Sequence, residues 1–181
     1  MPRKKMNFFN SVRFRIMVIM IVLGIAPSLI IARATIHSYE NRAISLRISN
    51  VRNQCDILCN QLVSEGYMEN PKSKVIEKQL EVLSNVYSGR ILLINNYFKV
   101  IKDTYSLDEG KTVIAADVIR CQEGTLTSNY NKKNDYLELT VPIKSPGQKE
   151  QQGVMLISIS TGEISSSVES LEQDGMLFQA I

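Results

Sequence analysis

The sequence predicts an α+β fold: a five-stranded antiparallel sheet packed on a long N-terminal helix, with one transmembrane helix ahead of it. Three observations lead there. An uncharged run, Ile16 to Ala32, precedes a stretch whose apolar residues recur at alternating four- and three-residue spacings. Beyond Gly89 the pattern changes from a helical period to short apolar or alternating runs separated by turn residues. Those runs are joined as hairpins, which imply an antiparallel sheet rather than a wound parallel one.

Extended past Arg33 to the uncharged Ala34-Thr35-Ile36, the run reaches the roughly 20 residues that a helix needs to cross a bilayer. Residues 1–15 carry five basic side chains and no acidic one, so they are expected to stay cytoplasmic, with residues from about Thr35 onward outside. The resulting map is a cytoplasmic basic tail at 1–15, a transmembrane helix at 16–34 and an extracytoplasmic domain at 35–174. The alternative is a cleaved signal peptide, because Ala32-Arg33-Ala34 fits the small-x-small cleavage pattern. The apolar stretch, however, exceeds the roughly 7–15 residues of a usual signal core.

After the span, Ile44, Ile48, Val51, Cys55, Leu58 and Leu62 form a heptad-like stripe on one helix face, which is expected to end at Gly66. Such a stripe serves either as packing onto the chain's own domain or as a parallel dimer seam rising from the membrane. Both are expected, the seam nearer the bilayer. Asn70 to Ser73 make a turn and open a second helix with Ile76, Leu80, Leu83 and Tyr87 inward and Gly89 as its C′ residue. Arg90–Asn95 and Lys99–Tyr105 read as a hairpin around Asn95–Phe98. A loop, Ser106–Lys111, leads to a short helix over Ile114–Glu123, stopped by Gly124. Strands follow at Thr127–Tyr130, Tyr136–Ile143 and Gly153–Ile159, with the last two separated by the turn-rich residues 145–152. Ser160-Thr-Gly-Glu163 matches a capping box and opens a last helix over Gly162–Gln173. The apolar residues 175–181 read as the start of a second membrane span that is cut short.

The composition excludes several classes of function. About 145 residues remain after the anchor, enough for one domain with a core. The net charge is +3, much of it in the first fifteen residues, so no nucleic-acid surface is needed to account for it. Three cysteines, an odd count, argue against a disulfide framework, and Cys55, Cys59 and Cys121 read as buried thiols. The only histidine, His37, lies beside the span, which leaves no His-based triad or His-rich metal site. Asp108-Glu109 reads as a solvated pair in a loop. No catalytic residue, metal ligand or cofactor site is assigned, and a binding module fits better than an enzyme.

This order of parts resembles the extracytoplasmic PAS-like (Cache or PDC) sensor domains of bacterial transmembrane receptors, and within them the N-terminal part of sensor histidine kinases from Gram-positive anaerobes. The stretches that carry the resemblance are YSGRILLIN (87–95), KDTYSLDEGK (102–111), DVIR (117–120) with Gly124, YLELTVPI (136–143) and GVMLISI (153–159). Similar modules occur in chemotaxis receptors and diguanylate cyclases. The 181 residues contain no phosphoacceptor histidine helix, no nucleotide-binding glycine motif and no HAMP segment.

The resemblance implies a membrane protein that works as a homodimer, senses a small molecule or a partner protein, and reaches a cytoplasmic response regulator only through a kinase region outside these residues. It also implies a ligand pocket between the sheet, the central helix and the loops, faced by Tyr105, Arg120, Tyr130 and Thr140. A single guanidinium there favours an anionic ligand. Binding would shift the last helix against the first. The readings from other classes are a secreted or anchored binding protein and a membrane-anchored assembly factor.

Overall fold

The computed structural model describes residues 12–144 and 150–179, with side chains through Leu171. Most of the basic tail, the turn at 145–149 and the side chains of the apolar run 175–181 lie outside the described residues. The elements are α1 (Val12–Ser64), α2 (Lys74–Val86), β1 (Gly89–Asn95), β2 (Val100–Asp103), α3 (Ala116–Gln122), β3 (Ser128–Asn131), β4 (Tyr136–Lys144), β5 (Gln151–Ser160) and α4 (Gly162–Gln179). They fall into two compact units, Arg42–Ser167 and the described residues on either side of it.

In the unit formed by the flanking residues, α1 carries a stretch of mean hydropathy 2.5 that is entirely unburied. By length and composition that stretch suffices to cross a membrane. Pro27 lies within α1.

Unit Arg42–Ser167 holds one open sheet in the order β2-β1-β5-β4-β3, antiparallel throughout. This is the PAS-like α+β architecture expected. β1 and β5 lie near the middle and are buried along nearly their whole length. They therefore read as continuous apolar runs rather than alternating ones, because both faces of the sheet are covered. On one face Ile91, Leu93, Leu139, Met155 and Ile157 pack with Val51, Cys55, Leu58 and Leu62 of α1 and Ile76 and Leu80 of α2. On the other, Leu92, Ile94, Val154 and Leu156 meet Val118 and Cys121 of α3. Each such leucine or isoleucine withdrawn from water contributes about 2 kcal/mol.

The helix ends follow from local chemistry. α1 stops where Gly66 adopts φ +61, with Gly66 N–H donating to the Val63 carbonyl at 3.1 Å and Tyr67 N–H to the Leu62 carbonyl at 2.9 Å. This is a Schellman closure, and both Tyr67 and Leu62 are core residues. α2 starts at Ser73, whose hydroxyl accepts from Ile76 N–H at 3.5 Å.

Two expectations are corrected. Gly89 is not the left-handed residue after α2; Ser88 is, at φ 48. Gly89 instead opens β1 opposite Ile159, where a Cβ would lie 2.6 Å from both Ile159 Cγ2 and the Ser158 carbonyl oxygen. Lack of space requires that glycine. Ser160 does not cap α4 in the S-x-x-E manner, because pairing with Tyr136 keeps it in β5. Its hydroxyl accepts from Gly162 N–H at 3.3 Å, and the Thr161 carbonyl takes the first helical bonds, from Ile164 at 2.9 Å and Ser165 at 3.1 Å.

Gly153 sits where β5 passes β1, and a Cβ there would lie 2.3 Å from the Ile94 carbonyl oxygen and 2.9 Å from Met68 Cε. Gly153→Ala is expected to destabilise the domain by about 2–3 kcal/mol. Gly162→Ala would meet only Ser160 Oγ at 3.5 Å, and should change stability by less than about 0.5 kcal/mol. Urea unfolding of the full chain in lipid nanodiscs compares the two; equal stabilities would refute the close approach at Gly153.

Candidate functional site

β2 ends in Asp103, whose side chain is 0% exposed. A buried carboxylate needs partners on every lone pair, and this one has them. Arg90, entering from β1, donates Nε to Oδ1 at 2.9 Å and Nη2 to Oδ2 at 2.6 Å. The backbone N–H groups of Tyr105, Leu107 and Asp108 donate at 2.9, 2.8 and 2.9 Å. The chain after β2 is therefore wound around one carboxylate, with Ser106 at φ 55.

The network extends outward from this centre. Arg90 Nη2 also reaches Asp108 at 2.6 Å, and Lys111 Nζ reaches it at 2.8 Å. Lys102 pairs with Glu109 at 2.9 Å and with Glu77 of α2 at 3.8 Å, while Glu109 accepts from Asp103 N–H at 3.3 Å. Asp108 and Glu109, expected to be solvated, are thus the outer members of an ion-pair network that ties the β2–α3 connection to β1 and α2. Bonds from Gly110 N–H to the Val100 carbonyl and from Val113 N–H to the Phe98 carbonyl, at 2.9 and 2.8 Å, close that connection onto β2.

Burial alone would push the Asp103 carboxyl upward, but Arg90 and the three N–H donors outweigh it and hold it below the usual carboxylate range. The hydrogen bond to Asp103 raises the Arg90 guanidinium in turn. Burial, then Glu77 and Glu109, push the Tyr67 phenol up to about 12. Burial, with Asp56 adding to it, pushes the Cys55 thiol up to about 12, and burial also raises Cys59 and Cys121. None of these thiols is disposed to form a thiolate.

The four side chains expected around a pocket are not gathered at one place. Tyr105 lies two residues beyond β2 and is exposed. Arg120 projects from α3 and pairs with Asp117 at 3.7 Å. Tyr130 packs against the core under α1 and α2, on the opposite face of the sheet from α3. Thr140 is fully buried, with Oγ1 accepting from Thr127 N–H at 3.1 Å and lying 2.9 Å from Thr127 Oγ1. Between α3 and the sheet, the space is filled by Val118 and Cys121. The stripe residues Val51, Cys55, Leu58 and Leu62 lie in the domain core, with Ile48 packed against it and Ile44 buried.

Sequence reasoning missed Arg90, Lys102 and Asp103. The available signal was a lone arginine heading the apolar run of β1 and an aspartate closing β2, one strand apart. Among the described residues, no group of three or more His, Cys, Asp or Glu side chains forms a metal site.

Asp103 has a folded pKa below its free value of about 3.9, so its ionised form adds stability above that pH, and the contribution is lost as pH falls toward the folded value. Asp103→Asn leaves Arg90 without its main partner and is expected to cost about 3 kcal/mol at pH 7. The difference between variant and parent should shrink below about pH 4, as read by urea unfolding across pH. A constant difference down to pH 2 would show that Asp103 acts by packing alone. The three native cysteines are expected to resist maleimide in the folded chain and to react after unfolding, as counted by intact-mass measurement.

No protein-family model matches the chain, and no curated protein matches its sequence. Among solved structures, the chain is similar to the ligand-binding domain of the Campylobacter jejuni chemoreceptor Tlp3, crystallised with 4-methylisoleucine, at TM-score 0.48 and 13% identity over 81% of this chain and 62% of that one. It is also similar to a domain of a sensory box/GGDEF family protein from Vibrio parahaemolyticus, at TM-score 0.43 and 13% identity over 76% and 63% of the two chains. This chain thus spans less than two thirds of either, and its PAS-like assignment stands on the sheet order and two-sided packing described above.

Proposed function

We propose that this chain is the sensing region of a membrane-anchored receptor, with residues 1–15 inside and 35–174 outside the cytoplasmic membrane, acting as a homodimer. In its finer form the proposal is the input half of a sensor histidine kinase that answers a small molecule or a partner protein. The output of a chemoreceptor or a diguanylate cyclase is an equally compatible sequel, since the same two-sided sheet and apolar span would serve either.

The observation that carries the reading is α1 itself. One helix, Val12–Ser64, includes both a membrane-length apolar stretch and the stripe that forms part of the domain core. A change of packing on the stripe therefore acts on the same helix that carries the span. The other exit is α4, whose first turn is held by the β3–β4 hairpin: Thr161 N–H donates to the Asp135 carbonyl at 2.8 Å, and the Ser165 hydroxyl donates to the Asp135 carboxylate. Any signal would shift the balance between two packings only through its differential affinity for them. α3, a helix of 7 residues seated through Val118 and Cys121, is the element whose displacement would open a pocket against the sheet.

Two measurements test this. Tyr105→Cys should react with a membrane-impermeant maleimide in intact cells, because Tyr105 is exposed and the native thiols are buried. Labelling only after lysis would overturn the orientation. Single cysteines at 35–39 in a cysteine-free background should form intersubunit disulfides in membranes, and their absence at every position would overturn the dimer.

A further inference from the structure

The outer face of α2 carries an apolar stripe that the domain does not use. Ile76, Leu80 and Leu83 turn toward the core, as the helix's position in the fold requires. A second series, Val75, Gln79, Val82 and Val86, repeats the 4-3-4 spacing on another face, with Val75 61%, Val82 52% and Val86 65% exposed. A helix that packs on one side only has no reason to keep valines at heptad spacing on its other side. Together with Ile57 of α1, itself 56% exposed, these residues line a groove of about 740 Å³ between α1 and α2, floored by Leu58 and Leu83.

The polar groups of the groove select its occupant. Lys74 and Lys78 line it, no Asp or Glu does, and neither lysine makes an ion pair among the described residues. Gln79 Oε1 is buried there without a hydrogen-bond partner and lacks a donor. We propose that this groove is a docking site for an amphipathic helix of another protein, with apolar residues at heptad spacing, carboxylates facing Lys74 and Lys78, and a donor for Gln79.

Charge separates this occupant from the others. An isologous contact with a second copy would set the groove's own lining against itself, and that lining holds Lys74 and Lys78 but no carboxylate. An acyl chain would fill the apolar floor but offer Gln79 no donor. A helix supplies all three groups, and α2, 13 residues long, gives it about 20 Å to lie along. The dimer and the output proposed above are independent of this surface.

The test is site-specific photo-crosslinking of the full chain in the membranes of its native cell. p-Benzoylphenylalanine replaces Val82, with a matched replacement of Tyr97 on the β1–β2 turn as control. The expected result is an adduct at Val82, absent at Tyr97, whose partner peptide by mass spectrometry is an acidic segment with apolar residues at i, i+3 or i+4 and i+7. Lys74→Glu with Lys78→Glu should lower its yield about fivefold or more, since charges at an interface edge govern encounter. A second copy of this chain as the partner, a lipid adduct, equal products at Val82 and Tyr97, no adduct, or a yield unchanged by the charge reversal would each overturn the proposal. Circular dichroism of the charge variant, expected to match the parent, shows that lost yield is not lost folding.

Discussion

Two strands with no polar face govern this domain. β1 and β5 pair along their whole length and bury residues toward both sides of the sheet. A sheet of that kind is unstable unless each face is covered, and antiparallel pairing provides no crossover helices to do it. The cover comes from two places in the chain order instead: α1 and α2, which precede the sheet, close one face, and α3, set between β2 and β3, closes the other. β2 and β3, at the edges, are only 4 residues each. Short edges limit the length of unpaired backbone offered to another chain.

The price of covering β1 is that its one charged residue is drawn inward, and Arg90 and Asp103 answer that problem for each other. The pair does more than neutralise a charge. Because three successive parts of the following loop donate their N–H groups to the same carboxylate, the loop has a defined shape without a hydrophobic core of its own. Most of its polar anchoring lies on the β1 and β2 side, whereas α3 is attached through Val118 and Cys121 and by two side-chain bonds, Asn129 Nδ2 to Asp117 at 2.7 Å and Gln122 Nε2 to the Asn95 carbonyl at 3.4 Å. A loop held by many polar bonds is thus joined to a helix held by few, and few bonds mean a low local cost of opening.

Periodicity revealed the elements because it reports burial, and burial here is simple: α1 and α2 each show one inward stripe, and β4 alternates. Their ends were legible where backbone conformation determines them, as at Gly66. They were misread where contact with a distant strand decides. Nothing near Gly89 in sequence announces Ile159, and nothing near Ser160 announces Tyr136. The site was less legible still. The Thr140 hydroxyl is taken by Thr127, a partner 13 residues away, and Tyr130 packs against the core under α1 and α2. Asp103 escaped notice because its role depends on Arg90 across the hairpin and on N–H groups that no composition records.

The β1–β5 pairing also sets an order of events when the chain is made. Leu93 lies opposite Met155, and Gly89 opposite Ile159, so the central ladder joins segments separated by most of the domain. Closing so long a loop is costly before any reward arrives. The β1–β2 hairpin and the two helices therefore emerge first, with β1 apolar on both faces and only β2 beside it. Until β5 arrives, one edge of β1 within the sheet is unpaired. Closure of the last long strand is therefore the step that takes the apolar faces of β1 out of reach of other chains.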